Sequence, residues 1–327
     1  GSTGQSSYKQ GYANSSSASS NDDASLFVTT MIPLVLENKN GIEYWRNTTP
    51  QSTRFCRPVR ILFAKETKAL IESERAVLSS EVSNLKNVSI VLQNGHMIEV
   101  VFELYLTIID GKVLSVLNGV ASSMCCPICG AKPNDFNNLD NINKDVFQPR
   151  QGALLHGVSP LHCWIRFFEF LLHLAYRIPF KSWQIKSEFK LVAAEQKKLI
   201  QARFWKEMGL RVDYPAPGGS GTSNDGNTAR RAFSNYKLLS SILTIDEKLI
   251  VDLRTILIAF GSQLPIDHDK FQEHCHQLIY HYMSLYSWFK LPASVHKILI
   301  HGADLFRVVH WLHESRYENE NRYQLLL

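Results

Sequence analysis

Residues 124–130 read MCCPICG. Cys126 and Cys129 stand in a C-x-x-C pair, which supplies half of a tetrahedral zinc shell and needs two further ligands to close it. Histidine-bearing stretches further along offer candidates: His162-Cys163 in SPLHCWIRFF, His274-Cys275-His276 in FQEHCHQLIYHY, and His296-x4-His301 in ASVHKILIHGADL. Two histidines three to five residues apart are the usual second half of a Cys2His2 site, which favours His296 and His301. The other two clusters read as ordinary helix residues. On an ideal helix His296 and His301 lie about 140° apart. Both reach one ion only if the helix ends or bends near Gly302, and a glycine just past a helix end is a common cap. Such a metal would clamp the early part of the chain to its helical tail.

Asp110 is the second chemical candidate. YLTIIDGKVL places a carboxylate at the end of an apolar strand, where ligands gather in sheets of this kind. The same residue also suits the N-cap of a following helix. One carboxylate is not a catalytic metal site, because a two-metal centre needs about three.

The elements that must position these groups follow from periodicity and turn residues. LFVTTMIPLVLEN (26–38) and STRFCRPVRILFA (52–64) are rich in β-branched residues and read as strands. Residues 65–86 carry Leu70, Ile71, Val77 and Leu78 at helical spacing. Asn94-Gly95 marks a hairpin whose second strand runs to Asp110, and GKVLSVLNGVA opens a helix. A loop over 131–152 follows. Helices are then expected over 160–178, 186–208, 234–244, 246–260, 267–289 and 293–314, interrupted by a Gly/Pro/Ser-rich loop at 214–227. The stretch from Trp164 to Leu172 reads as core. Lys181, Lys186, Lys190, Lys197 and Lys198 read as a solvated face before a DNA groove.

Bulk properties set the class. The chain has 327 residues, 45% hydrophobic and 20% charged, with net charge +5. That is enough for a large core and a mildly basic surface, which permits nucleic-acid binding without demanding it. No apolar run is long enough for a membrane span. Six cysteines are too few for a disulfide scaffold and suit a reducing, intracellular setting. The expected organisation is a Ser-rich segment 1–24, a sheet-bearing region 25–125, a helical zinc-binding region 126–314 and a tail 315–327.

Four stretches, in order, carry a resemblance: RFCRPVRILFAKETKALIESERAVLSSE, LTIIDGKVLSVLNGVASSMCCPICGA, SNDGNTARRAF and VHKILIHGADL. Together they resemble the catalytic core of the V(D)J recombination-activating recombinase and the Transib-type transposases related to it, over roughly residues 50–302. The resemblance implies an α/β (α+β) fold, with an RNase H-like mixed sheet carrying a large, mostly helical zinc-clamped insertion. It implies Cys126, Cys129, His296 and His301 as structural Zn2+ ligands and Asp110 as the second catalytic carboxylate. Arg230, Arg231 and Asn227 would approach DNA, the arginines as phosphate contacts. It further implies a nuclear protein that acts on DNA through Mg2+ or Mn2+, paired as a homodimer and with an accessory recombinase subunit.

The match departs from that family at both ends. The first catalytic Asp would fall before Gly1, in a chain that opens without Met and reads as a fragment or a processed form. The third carboxylate would come from Glu318 or Glu320, whose surroundings match less well. The family's nonamer-binding domain is not represented. The expectation is therefore a transposase- or recombinase-derived DNA-binding domain, inactive by itself in strand nicking and transfer. The alternative is a domesticated DNA- or protein-interaction protein held together by structural zinc.

Overall fold

The computed structural model describes residues 2–4, 25–49, 52, 54–104, 109–215, 221–262, 266–314 and 323–326. Side chains are described for all of these except residues 2–4, 143, 309–314 and 323–326. The protein is mixed α/β, with small sheets first and a run of helices after them. Two compact units divide it: residues 1–109, 155–157 and 307–327, and residues 110–154 and 158–306.

The first unit holds the strands. These are β1 (Ser2–Gly4), β2 (Ser25–Met31), β3 (Val35–Glu37), β4 (Glu43–Arg46), β5 (Arg57–Phe63), β6 (Val88–Val91) and β7 (Met97–Glu103), with β8 (Tyr323–Leu326) from the far end of the chain. β1, β2 and β5 form one antiparallel sheet. The second sheet has the order β4-β3-β8-β7-β6, with β7 and β8 parallel and the other pairs antiparallel. Residues 26–38 were expected as one strand, but they split at Pro33 between the two sheets. Proline brings no N–H to a ladder, and here its carbonyl instead accepts from Asn47 Nδ2. The β2/β5 register slips between Thr29 and Thr30, where Pro58 is the partner, for the same reason.

The Asn94-Gly95 hairpin joins β6 to β7, with Leu92 N–H donating to His96 O at 2.8 Å. Helix α1 (Lys68–Ser83) is capped by Thr67 and tied to β5 by Arg60–Glu74 at 2.8 Å. β4 lies outside the sequence expectation. It is nucleated by a turn in which Asn38 Oδ1 accepts from the N–H groups of Asn40 and Ile42, a side-chain device of the Asx type. The strand expected to run to Asp110 stops at Glu103, and residues 105–108 lie outside the described set.

The second unit holds α2 (Gly111–Leu117), α3 (Leu139–Asn143), α4 (Pro160–Ala175), α5 (Lys190–Met208), α6 (Gly226–Ser234), α7 (Tyr236–Leu243), α8 (Glu247–Gly261), α9 (His268–Tyr286) and the part of α10 (Ala293–Glu314) up to Phe306. α4 is its centre, packing against α6, α7 and α8. Ser159 caps α4, Pro160 occupies the first turn, and Phe167, Phe168, Phe170, Leu171 and Leu172 are buried. The expected helix over 234–244 is α7, whose cap Asn235 accepts from Leu238 N–H. α6, capped by Asp225, was not expected and reaches into the expected loop. Asn and Asp compete with helix by bonding nearby backbone N–H groups. No helix among the described residues is long and apolar enough to cross a membrane.

Candidate metal centre

Cys126 and Cys129 sit on a tight turn. Gly130 N–H donates to Cys126 O at 2.9 Å and Cys126 N–H to Ala131 O at 2.9 Å. Gly130 has φ +80°, and a Cβ there would lie 1.8 Å from the Arg150 guanidinium. Only glycine suits both demands. The turn is anchored from outside by Arg150 N–H to Ile128 O at 3.0 Å and by Asn118 Nδ2 to Pro127 O at 3.0 Å. It therefore presents both sulfurs on a backbone fixed by residues from two neighbouring segments.

The histidines come from α10. Ring nitrogens of His296 and His301 and the sulfurs of Cys126 and Cys129 all lie within 4.8 Å of one another. Cys129 Sγ is 3.5 Å from His296 Nε2. A tetrahedral zinc with bonds of about 2.3 Å to sulfur and about 2.05 Å to nitrogen sets that edge at roughly 3.6 Å. Phe136 stacks on the His296 ring at 4.3 Å and Phe147 meets it edge-on at 4.7 Å, which holds the imidazole in one orientation.

α10 does not end at Gly302; it continues to Glu314. The helix keeps its expected bounds, and of the two alternatives, an end or a bend near Gly302, the end is ruled out. Gly302 serves close packing instead, because a Cβ there would meet Phe271 Cε1 at 2.7 Å. All four ligands also belong to the same compact unit. The site thus closes the cysteine turn onto the helices of that unit.

The donor set fits a metal on its polar accounting. Cys126, His296 and His301 are buried. His296 Nδ1 and both nitrogens of His301 have no hydrogen-bond partner. Unpaired buried polar groups are rare and costly, and an ion held by His296 Nε2 and His301 would engage one of the two nitrogens that His301 leaves idle. Burial alone would push the Cys126 thiol up. Hydrogen bonds from Cys129 and from the N–H groups of Cys129 and Ile128 outweigh it, and the thiol falls to about 7. Hydrogen bonding to Cys126, then burial, holds the Cys129 thiol up. Burial holds His296 down, so it favours the neutral imidazole that ligates metal. Two sulfurs and two nitrogens would complete a four-ligand shell around an ion and leave no position for substrate.

The other candidates do not converge. Asp110 is the N-cap of α2, its Oδ1 accepting from Lys112 N–H at 2.8 Å and Val113 N–H at 2.9 Å. Glu318 and Glu320 lie outside the described residues. Among the described residues, the Cys126 quartet is the group of three or more His, Cys, Asp or Glu that gathers around one point. His162 pairs with Ser159 Oγ at 2.8 Å, and burial pushes the Cys163 thiol up to about 11. Cys275 is buried in the core, and His274 Nε2 lies 3.4 Å from Asp252 O.

On α6, Asn227 and Arg231 are exposed, and Arg231 Nη2 reaches Met208 O at 3.5 Å. The Arg230 guanidinium lies over the Trp164 ring at 5.7 Å. Lys197 pairs with buried Asp213 at 2.6 Å, which takes it out of the expected solvated face. The aromatic clamp of Phe136 and Phe147 was missed at the sequence level. Phe136 follows Cys129 by seven residues and Phe147 by eighteen, but nothing in their local pattern marks them.

No protein-family model matches the chain. No curated protein matches it in sequence either.

Proposed function

We propose that this chain is a DNA-binding domain of transposase or recombinase descent, with an RNase H-like sheet region and a helical body locked by structural zinc. The observation that carries the reading is the gathering of a C-x-x-C and an H-x4-H, 167 residues apart between Cys129 and His296, in the chain order the resemblance requires. Zinc, where bound, would supply four strong bonds in place of hydrogen bonds the quartet lacks. Cys126 and Cys129 would fix the turn, and His296 and His301 would fix its seat on α10. Asn227 and Arg231, exposed one turn apart on α6, would meet the phosphate backbone, which positions a protein on DNA without reading sequence. Arg230 supports them from the Trp164 ring. Asp110 is the chain's candidate for a carboxylate that takes Mg2+ or Mn2+. Such ions keep most of their waters on a single carboxylate, so nicking and strand transfer are not expected of this chain by itself. The nucleus, a second copy and an accessory recombinase subunit belong to the same proposal.

A second reading, a domesticated interaction protein, is favoured by two contacts. The Asp110 carboxylate is committed to the N–H groups of α2, and Arg230 is committed to Trp164. Fluorescence anisotropy with a labelled 30-base-pair duplex between 50 and 200 mM salt separates the two. The DNA-binding reading expects log K to fall linearly with log salt, with Arg231→Ala lowering the slope by about 1. No binding at 100 µM protein in the lowest salt, with zinc content intact, would overturn it.

A further inference from the structure

The two cysteines of the quartet differ in exposure. Cys126 is fully buried and Cys129 half-buried, so a small solute reaches the second sulfur first. The sulfurs lie within 4.8 Å of each other. Gly130 N–H on Cys126 O closes the turn at 2.9 Å. Tight turns keep their first and fourth Cα atoms within about 7 Å, which is also the limit for a disulfide. Rotation of two side chains on a fixed turn can therefore replace a shared ion with a sulfur–sulfur bond.

Each half of the site is also held without the ion. Arg150 N–H on Ile128 O and Asn118 Nδ2 on Pro127 O fix the turn. Phe136 and Phe147 fix the His296 ring. Loss of metal leaves both halves in place to be refilled. Two other thiols stand outside such chemistry. Cys163 and Cys275 are buried, and burial raises both, Cys163 to about 11. A thiol is a far weaker nucleophile than a thiolate.

We propose that the quartet is a reversible, peroxide-sensitive zinc switch, in which Cys129 and Cys126 close to a disulfide and the site gives up its ion. The proposal rests on the zinc reading of the quartet and adds a regulation to it. The Cys129 sulfur attacks one oxygen of hydrogen peroxide. An S–O bond forms as the O–O bond breaks, and the other oxygen leaves as hydroxide. The Cys126 sulfur then attacks the Cys129 sulfur, the S–S bond forms as the S–O bond breaks, and a second hydroxide leaves. Two protons from solvent convert the hydroxides to water. The two thiolates together lose two electrons, peroxide gains them, and Zn2+ keeps its charge. A sulfenic acid beside a resolving thiolate is the reversible rung of thiol oxidation. His301, both of whose ring nitrogens lack a protein partner, then has no ion to engage.

The test measures zinc in the full chain first and then adds a few equivalents of hydrogen peroxide. A chromogenic chelator reads released zinc, and thiol titration with peptide mass spectrometry reads the sulfurs. One zinc is expected to leave for every two thiols lost. The peptide bearing Cys125, Cys126 and Cys129 should be lighter by two hydrogens, with the bond between Cys126 and Cys129. Dithiothreitol with added zinc should restore the metal content. Cys125→Ser should behave as the parent. Cys129→His, which offers a ring nitrogen in place of the sulfur, should keep its zinc under the same peroxide. Zinc that stays bound in the parent, a bond to Cys125, or oxidation of Cys129 that dithiothreitol fails to reverse would overturn the proposal and leave the zinc reading standing. A chain that takes up no zinc would overturn both.

Discussion

Replacing His301 by leucine is expected to destabilise the zinc-bound protein and to stabilise the metal-free one. Both ring nitrogens of His301 are buried without partners, and each such group costs about 1–3 kcal/mol. Leucine of similar size removes both. The metal-free variant should therefore be more stable than the metal-free parent by about 1–3 kcal/mol, allowing for imperfect packing of the leucine. With zinc at a thousand times its dissociation constant the parent gains about 4 kcal/mol. The variant, left with three ligands, forgoes most of that gain. In the helical unit of about 200 residues, 4 kcal/mol corresponds to roughly 8–16 °C in Tm. Scanning calorimetry of both proteins, metal-stripped and zinc-loaded, reads the crossing. The reasoning is refuted if zinc shifts the Tm of the variant as much as that of the parent. It is also refuted if the variant falls below the parent by the same amount in both conditions, which would make the loss one of packing alone.

Gly302→Ala is expected to destabilise by about 1–3 kcal/mol with zinc content unchanged. Its Cβ would meet Phe271 at 2.7 Å, a ring held between Phe260 and Phe306, and that outweighs the roughly 1 kcal/mol that alanine gains in helix propensity. Metal analysis with urea denaturation checks both halves. Asp246 caps α8 and meets His281 Nε2 at 2.8 Å; burial raises its carboxyl, but bonds from His281 and Leu249 outweigh this and hold it below its usual value. A depressed carboxyl stabilises above its unfolded value near 3.9, and the effect is lost as pH falls through the folded value. Asp246→Ala should thus cost about 1–2 kcal/mol at pH 6 and progressively less below pH 4; a gap of constant size from pH 6 to pH 3 would contradict this.

What was legible in the sequence was whatever short-range chemistry decides. The Asn94-Gly95 hairpin and the helix bearing His296 and His301 appear where turn residues and apolar spacing place them. The quartet was legible because ligand chemistry restricts its residue types to a few spacings. α6 was hidden because it starts inside the Gly/Pro/Ser-rich stretch that reads as loop, and only the capping side chain of Asp225 marks its start. Gly302 misled for the opposite reason. Its local signature is that of a cap, but packing on Phe271, from another helix, is what requires a glycine there.

The separation of 167 residues between Cys129 and His296 sets an order of events during synthesis. At about 5–20 residues per second, the cysteine turn emerges roughly 10–30 s before the histidines exist. Closing so long a loop costs on the order of 4–5 kcal/mol in chain entropy, a cost already met if the helices between hold α10 near the turn before metal arrives. Zinc, where bound, would then act as a late lock on a body already assembled. In the interval the paired thiols hold at most half a coordination shell, and the nascent chain is open to oxidation at Cys126, which its finished form buries, and at half-buried Cys129.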